Sequence, residues 1–351
     1  MPENQNNIDD QLIRDWAEMK KLQHPKYWMR MKHRLEITVQ RKRKIRIARY
    51  AALFMLPILG SGLYFLLKDF HSTSPQAEQT LAKILPGDKK AVLYTSNGNS
   101  LVLSGDTLSL IEMNGTQISS QKNKGIVYSP PTADAVTEIY NTLVIPPKGE
   151  YNVTLSDGTQ IWLNSSSSLE YPVLFADSIR KVYLKGEAFF VVTEDKEKPF
   201  IVKTSVFDVE VLGTSFNVSV YNDENIVETA LIEGKVKLTM NGYPSKPVYL
   251  TPSQKFVYSR NEQKGNISIM EEDSELAWKQ GILAFNAVPL TEVFKRMERW
   301  YGVTIHYDKE NLVNDKFTGQ FKLISIQEMM NILRIHYNLK FKIENNDIYI
   351  I

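Results

Sequence analysis

The feature that most constrains this chain is an uninterrupted apolar run near its N-terminus. Residues 50–67, YAALFMLPILGSGLYFLL, carry no charge, and a helix of that length spans roughly 27 Å, close to the apolar thickness of a bilayer. Six of the nine residues 41–49 are basic, as is typical of the cytoplasmic flank of a membrane helix. The pattern predicts a single-pass inner-membrane protein with a cytoplasmic N-terminus and a periplasmic C-terminus. The predicted topology determinants are Arg41, Lys42, Arg43, Lys44, Arg46 and Arg49.

A cleaved signal peptide and a buried soluble helix are the two alternatives for this run. A signal peptide has its basic residues close to the first residue, whereas 49 residues precede this run. A buried helix is rarely flanked by six basic residues on one side. Both alternatives are therefore weaker than a transmembrane helix over 50–67.

Residues 1–49 are predicted to be a cytoplasmic helical segment. Apolar residues recur at three- and four-residue steps over 8–40, and His24-Pro25 divides the pattern into two short helices. Short isolated helices are marginal in water, so we expect a helical protein partner. The alternative is a helix lying on the lipid surface. The predicted contact residues are Trp16, Met19, Trp28 and Met31.

Residues 68–90 are interpreted as a linker, and residues 91–275 as an all-β periplasmic domain. Short alternating runs are separated by turn pairs such as Asn97-Gly98 and Asp157-Gly158, which are strong hairpin signals. Many short strands with such turns predict a two-sheet sandwich or a short β-solenoid.

Residues 276–351 are predicted to form a small C-terminal α+β domain. The pattern changes to alternating helices and strands in the order β-α-β followed by β-α-β-β. Its first helix starts at Pro289 and ends at Gly302. We expect both helices to lie on one face of a single small sheet.

Sequence motifs for catalysis and ligand binding are absent from the chain. The net charge of +2 does not indicate direct nucleic-acid binding, and there is no cysteine. The five histidines show no metal-ligand spacing, and no phosphate-binding, dinucleotide or nucleophile motif is present. We therefore expect no metal site, no cofactor and no enzyme activity on an external substrate.

Several phrases of the sequence together resemble one family. The segments LSDGTQIWLN, GEAFF, KPF and LGTSFNV are similar to those of the FecR-type anti-sigma factors of Bacteroidetes, and the resemblance extends over about residues 41–351. The tail from about Ile282 is similar to the C-terminal domain of that family. That domain in turn resembles the short N-terminal domain of secretins and TonB-dependent transducers.

The resemblance implies a transmembrane regulator of transcription. Residues 1–49 would bind an extracytoplasmic-function sigma factor, although this segment is shorter than is usual in the family. The periplasmic part would sense the N-terminal signalling domain of a TonB-dependent outer-membrane transporter, and an intramembrane protease would then release sigma. The alternative is a membrane-tethered periplasmic binding or scaffold module that does not bind sigma.

The resemblance also implies a site of self-cleavage. Some members of the family cleave themselves at a Gly-Thr bond that matches Gly213-Thr214, where a threonine hydroxyl attacks the preceding carbonyl; the alternative for this pair is a plain bulge or tight turn.

The chain ends in the strand-like run DIYII. Its last residues, Tyr349, Ile350 and Ile351, are predicted to lie on a sheet edge and to contact the transporter domain by strand pairing. The alternatives are that these residues belong to the core of their own domain, or that the helix starting at Pro289 makes the contact instead.

Overall fold

The computed structural model describes residues 87–104, 108–121, 125–129, 139–175, 178–242, 246–308 and 315–351. They belong to one compact unit. The predicted cytoplasmic segment, the apolar run 50–67 and the linker up to residue 86 lie outside the described residues.

The described residues correct the predicted fold class. Within the ranges given above, no helix is long and apolar enough to cross a membrane. The longest helices there have 12 residues each, about 18 Å, which is well short of a bilayer core. The part of the chain that the structure describes is a two-layer β-sandwich followed by a small region of two long helices and short strands.

The sandwich is built from the first 19 strands. Their bounds are β1 Asp88–Lys89, β2 Ala91–Tyr94, β3 Ser100–Leu103, β4 Leu108–Ile111, β5 Gln117–Gln121, β6 Gly125–Ser129, β7 Tyr140–Val144, β8 Gly149–Thr154, β9 Gln160–Leu163, β10 Ser168–Pro172, β11 Arg180–Val191, β12 Phe200–Lys203, β13 Phe207–Val211, β14 Ser215–Val220, β15 Ile226–Glu233, β16 Val236–Met240, β17 Val248–Leu250, β18 Gln254–Ser259 and β19 Lys264–Ile269.

These strands form two layers that share one strand. The first layer has the order β3-β2-β7-β10-β11-β12-β13-β16-β17. The second has the order β4-β5-β6-β8-β9-β11-β14-β15-β18-β19. Most neighbouring strands are antiparallel. The chain therefore forms the predicted two-sheet sandwich and not the alternative, a β-solenoid. β1 pairs in parallel with β8.

The shared strand β11 runs through both layers. Its first half pairs with β12 and its second half with β14, and Gly186, with φ 89°, lies between the two halves. Alternate residues of the strands point inward and form a continuous apolar core. In this core Phe190 stacks on Phe216, with ring centroids 5.0 Å apart.

The C-terminal region, residues 272–351, follows the predicted order of elements over its strands and two long helices. It comprises α1 Glu272–Glu275, a 3₁₀ turn Ala277–Gln280, β20 Ile282–Pro289, α2 Leu290–Tyr301, β21 Thr304–His306, β22 Lys316–Lys322, α3 Ile326–Tyr337, β23 Phe341–Glu344 and β24 Asp347–Ile350. Helix α2 buries an apolar face and ends at Gly302, which has φ 66°. Helix α3 starts with a capping box between Ser325 and Glu328.

The expected single small sheet is wrong. β20 pairs with β22, whereas β21 and β23 flank β24 in a separate three-stranded sheet. The order of elements does not determine which strands pair, because pairing depends on how the two helices pack against them. Both sheets and both helices contribute to a second apolar core.

Candidate functional site

Gly213 and Thr214 lie at a corner of the sandwich. They connect β13 in the first layer to β14 in the second. A Cβ on Gly213 would come within 2.6 Å of the Glu194 Cα, so no other residue fits without moving the backbone. Thr214 is 5% exposed. The glycine in this β-rich stretch is thus explained by close contact between two backbone segments.

The hydrogen bonds at this corner involve the main chain. Thr214 Oγ1 donates to the Lys235 carbonyl at 3.1 Å, and the Thr214 carbonyl accepts from Val192 N at 3.0 Å. The hydroxyl is therefore held by a backbone acceptor rather than by a basic side chain. The peptide is well fixed, and its hydroxyl group is buried beside it.

A second glycine corner packs against the first. Gly234, between β15 and β16, has φ 95°, and a Cβ there would lie 2.7 Å from Thr214 Oγ1 and 2.8 Å from the Gly213 carbonyl oxygen. Sequence reasoning missed Gly234; the only signal was a lone glycine between two strand patterns in EGKV. Gly234 leaves room for the Gly213-Thr214 peptide.

A buried cation stabilises the same corner. Arg180 is 2% exposed and donates to Asp157 Oδ2 and to the Thr193 carbonyl, both at 2.8 Å. A third, longer contact of 3.5 Å reaches the Leu212 carbonyl. Arg180 therefore connects a hairpin turn, the end of β11 and the corner before Gly213.

The predicted transporter-contact residues lie at the end of the C-terminal region, but not on a sheet edge. β24 has β21 on one side and β23 on the other, so both of its hydrogen-bonding edges are occupied. Tyr349 stacks on His306 with centroids 4.6 Å apart, and Ile351 is 79% exposed. Strand pairing at β24 is therefore wrong, while a side-chain contact at this surface stays a prediction.

The other predicted site residues lie outside the described residues. They are the contact candidates Trp16, Met19, Trp28 and Met31 and the topology determinants Arg41, Lys42, Arg43, Lys44, Arg46 and Arg49.

A cleft between the outer face of the second layer and the C-terminal region is a second candidate site, which the sequence did not reveal. On one side of it, Arg299 of α2 forms an ion pair with buried Glu224 and another with Asp223 at 3.2 Å. The Arg299 guanidinium lies 3.8 Å from the centroid of the Tyr221 ring. The Arg299 carbonyl accepts from Lys148 N at 2.7 Å. Helix α2 thus forms ion pairs, a cation–π contact and a backbone hydrogen bond with the sandwich.

On the other side of the cleft, Lys279 of the 3₁₀ turn lies on two aromatic rings. Its Nζ is 4.2 Å from the ring centroid of Trp162 and 3.6 Å from that of Phe189. Burial lowers the pKa of Lys279. Cation–π contact compensates part of this desolvation.

The floor of the cleft contains a half-buried carboxyl group, Glu187. It accepts hydrogen bonds from Asn164 at 2.7 Å and from Asn217 at 2.9 Å. Burial raises the pKa of Glu187, and these two amide donors oppose the rise. Across the cleft, Lys255 pairs with Glu228 at 2.9 Å and with Glu275 at 2.6 Å.

A metal centre is not indicated by the geometry of the part that the structure describes. No group of three or more His, Asp or Glu side chains there could hold a metal ion. The donors in the cleft are carboxylates already paired with amides, lysine or arginine.

The comparisons with known proteins agree with this architecture. The sequence profile described as FecR protein matches residues 141–237, and the profile described as FecR, C-terminal, matches residues 282–350. No curated protein matches the chain. Two crystal structures of a proposed anti-sigma factor from Parabacteroides distasonis ATCC 8503, at 1.65 Å and 2.50 Å resolution, are each 30% identical with a TM-score of 0.57. The match covers 60% of this chain and 98% of theirs. The chain belongs to the FecR family.

Proposed function

We propose that this protein is an anti-sigma regulator. The observation that supports this most is the match of the chain to 98% of a proposed anti-sigma factor at 30% identity. The two FecR profiles match residues 141–237, within the sandwich, and residues 282–350, within the C-terminal region.

On this proposal, residues 1–49 bind an extracytoplasmic-function sigma factor. Trp16, Met19, Trp28 and Met31 form the apolar stripe for the contact, since aromatic residues and methionine are enriched in interface centres. This segment faces the cytoplasm, at the inner membrane, and the part from residue 91 onward lies in the periplasm.

The test is co-purification of the full chain with the sigma factor encoded nearest its gene. We expect a complex that Trp16→Ala or Trp28→Ala weakens at least tenfold. Ile335→Ala, at an exposed position on α3, is the control and should leave the complex unchanged. A well-folded full chain that purifies without sigma would favour a scaffold module instead.

The signal comes from the N-terminal signalling domain of a TonB-dependent transporter, and an intramembrane protease then releases sigma. Tyr349 and Ile351, both exposed, contact that domain by their side chains. Changing both to Ser should reduce capture of a purified signalling domain, and the exposed Val102→Ser is the control. Undiminished capture would exclude this surface.

Self-cleavage at Gly213-Thr214 is part of the proposal. Thr214 Oγ attacks the Gly213 carbonyl carbon, the peptide C–N bond breaks as the amine takes a proton, and an ester forms on Oγ. Water then hydrolyses the ester, leaving a carboxylate on Gly213 and a free amine on Thr214. The buried hydroxyl adjacent to a tightly packed glycine supports this assignment.

Mass spectrometry of the purified chain tests the cleavage. We expect fragments 1–213 and 214–351 for the wild type and for Thr214→Ser. Thr214→Val keeps the side-chain shape without the hydroxyl and should stay intact. An intact wild-type chain, or cleavage that persists in Thr214→Val, would contradict the mechanism.

A further inference from the structure

Strand β15 contains a β-bulge directly beside the Gly213-Thr214 corner. The pairing of β14 with β15 shifts register between Ser215 and Phe216, which makes Ile232 an extra residue on β15. Bulges bend a strand and redirect its side chains, and they are frequent next to active sites. This bulge comes just before the Gly234 corner, which packs against the Gly213-Thr214 peptide.

The half-buried side chain of Ile232 packs against the second apolar core, which belongs mainly to the C-terminal region. Val191 of β11 packs against the same core. Strands β11 and β15 lie on the two sides of β14, and Val191 is directly opposite Ser215. The C-terminal region therefore contacts both strands that flank β14, next to the candidate cleavage bond.

Each of these two contacts leads to a different polar group of Thr214. The amide of Val192, the residue after Val191, donates to the Thr214 carbonyl at 3.0 Å. The Lys235 carbonyl, in the corner that follows Ile232, accepts from Thr214 Oγ1 at 3.1 Å. Both groups of Thr214 are thus held by segments on which the C-terminal region packs.

The position of the second corner depends on Ile232. Gly234 has no side chain, and its neighbours Glu233 and Lys235 are exposed. Ile232 therefore supplies the packed side chain closest to the corner on β15. If Ile232 loses its contact with the C-terminal region, the bulge can relax, and the Lys235 carbonyl then moves away from the Thr214 hydroxyl.

We propose that Ile232 is a positioning residue for self-cleavage and that the docked C-terminal region controls the reaction through it. The reaction is the one given above. Thr214 Oγ1 bonds to the Gly213 carbonyl carbon, the peptide C–N bond breaks, and the amine takes the hydroxyl proton before water hydrolyses the ester. This inference rests on the proposed self-cleavage and names what regulates it.

The half-life of the uncut full chain tests the proposal, followed by mass spectrometry at intervals after cell-free synthesis. Ile232→Ala should lengthen the half-life at least about tenfold, because a misplacement of about 1 Å can slow a reaction about 100-fold. Ile232→Val keeps the branched shape and should restore a rate close to that of the wild type. Leu110→Ala, which removes a half-buried side chain packed on the sandwich core instead, is the control and should cleave like the wild type.

Arg299→Met tests the part played by the C-terminal region. It removes the ion pairs of α2 with Glu224 and Asp223, and none of these contacts involves the Gly213-Thr214 corner. If docking controls cleavage, this variant should also lengthen the half-life, although Ile232 is unchanged.

Because Ile232→Ala could disturb folding, the uncut Thr214→Val chain provides a second measurement. In that background the amide of Val192 still faces the carbonyl of residue 214. Adding Ile232→Ala should make hydrogen exchange at this amide faster, while the amides of β12 stay protected.

The outcomes separate this inference from the cleavage itself. A wild-type chain that stays intact would overturn both. A wild-type chain that is cut, with Ile232→Ala cut at the same rate, would overturn this inference alone. Equal slowing in Leu110→Ala would mean that lost stability explains the effect, and a wild-type rate in Arg299→Met would mean that docking has no control. Either of these results also overturns the inference.

Discussion

The sandwich and the C-terminal region bury their apolar residues in different ways. The sandwich core is enclosed by its own two layers, and its members come from residues 91–256. The core of the C-terminal region includes Phe189 of β11, and Trp162 and Ile232 of the sandwich pack against it. The C-terminal region thus completes its core on the outer face of the second layer, so its stability depends on the sandwich more than the reverse.

The largest expected effect is in the sandwich core. Phe190 is fully buried and stacks on Phe216, so Phe190→Ala should lower the free energy of unfolding by about 3–5 kcal/mol. Because the C-terminal region uses the same sheet as a wall, both parts should unfold together in urea. Ile335→Ala, at a position 77% exposed, should change stability by less than about 0.5 kcal/mol. If the C-terminal region stays folded after the sandwich has unfolded, its stability does not depend on the sandwich, contrary to this expectation.

Arg299→Met tests the docking contact. It leaves Glu224, which is 5% exposed, without its closest cation, and removing one partner of a buried pair costs about 3 kcal/mol or more. The weaker Arg296 contact at 3.9 Å reduces that cost, so we expect about 2–3 kcal/mol. Hydrogen exchange should become faster in α2 and stay unchanged in β12 and β13. Equal acceleration everywhere would show that docking and folding are inseparable.

Ser325→Ala should have a smaller effect, confined to the C-terminal region. The Ser325 hydroxyl accepts from Glu328 N at 3.2 Å in the capping box of α3, and loss of such a cap costs about 1 kcal/mol. Faster hydrogen exchange in the first turn of α3 is the measurement. Ser325→Thr retains the cap and is the control; if it behaves like Ser325→Ala, the effect is not due to capping.

Glu187→Gln should give the smallest effect, visible in its pH dependence. Burial raises the folded-state pKa of Glu187 above the ordinary 4.5, so the folded protein binds more protons than the unfolded chain just above pH 4.5. The wild type therefore loses stability as pH rises through the raised pKa, and the Gln variant lacks this loss. The free energy of unfolding of the variant should rise relative to that of the wild type as the pH increases above 4.5. A difference that does not vary with pH would contradict the assignment.

Local patterns predicted much of this fold, and long-range pairings could not be predicted. Alternation and turn pairs such as Asp157-Gly158 indicated the strands of the sandwich, and the helical pattern ending at Gly302 was correct because propensity, capping and burial agree there. By contrast, Arg299 and Glu224 are 75 positions apart, and nothing local relates them.

For the candidate sites too, local sequence features were predictable and long-range contacts were not. LGTSFNV drew attention to Gly213-Thr214. The need for glycine at position 234 became visible only in the structure, where a Cβ on that residue would lie 2.7 Å from Thr214 Oγ1 and 2.8 Å from the Gly213 carbonyl oxygen. A strand-like ending at Tyr349 gave no information on whether β24 is an edge or a middle strand. The pairing of β24 with β21 and β23 is set by how the C-terminal region packs, which the local sequence does not encode.

Because β11 contributes to both layers, the protein should not tolerate an inserted residue in the middle of this strand. Side chains alternate between the two faces of a strand, so one residue inserted after Gly186 would reverse the facing of Phe189 and Phe190. Phe190 would then leave the core of the sandwich, and Phe189 would leave the core of the C-terminal region, both in one step. Exposed hairpin turns such as the one at Gly98 accept insertions more readily. Length variation among relatives should therefore be concentrated in the turns and be absent from the middle of β11.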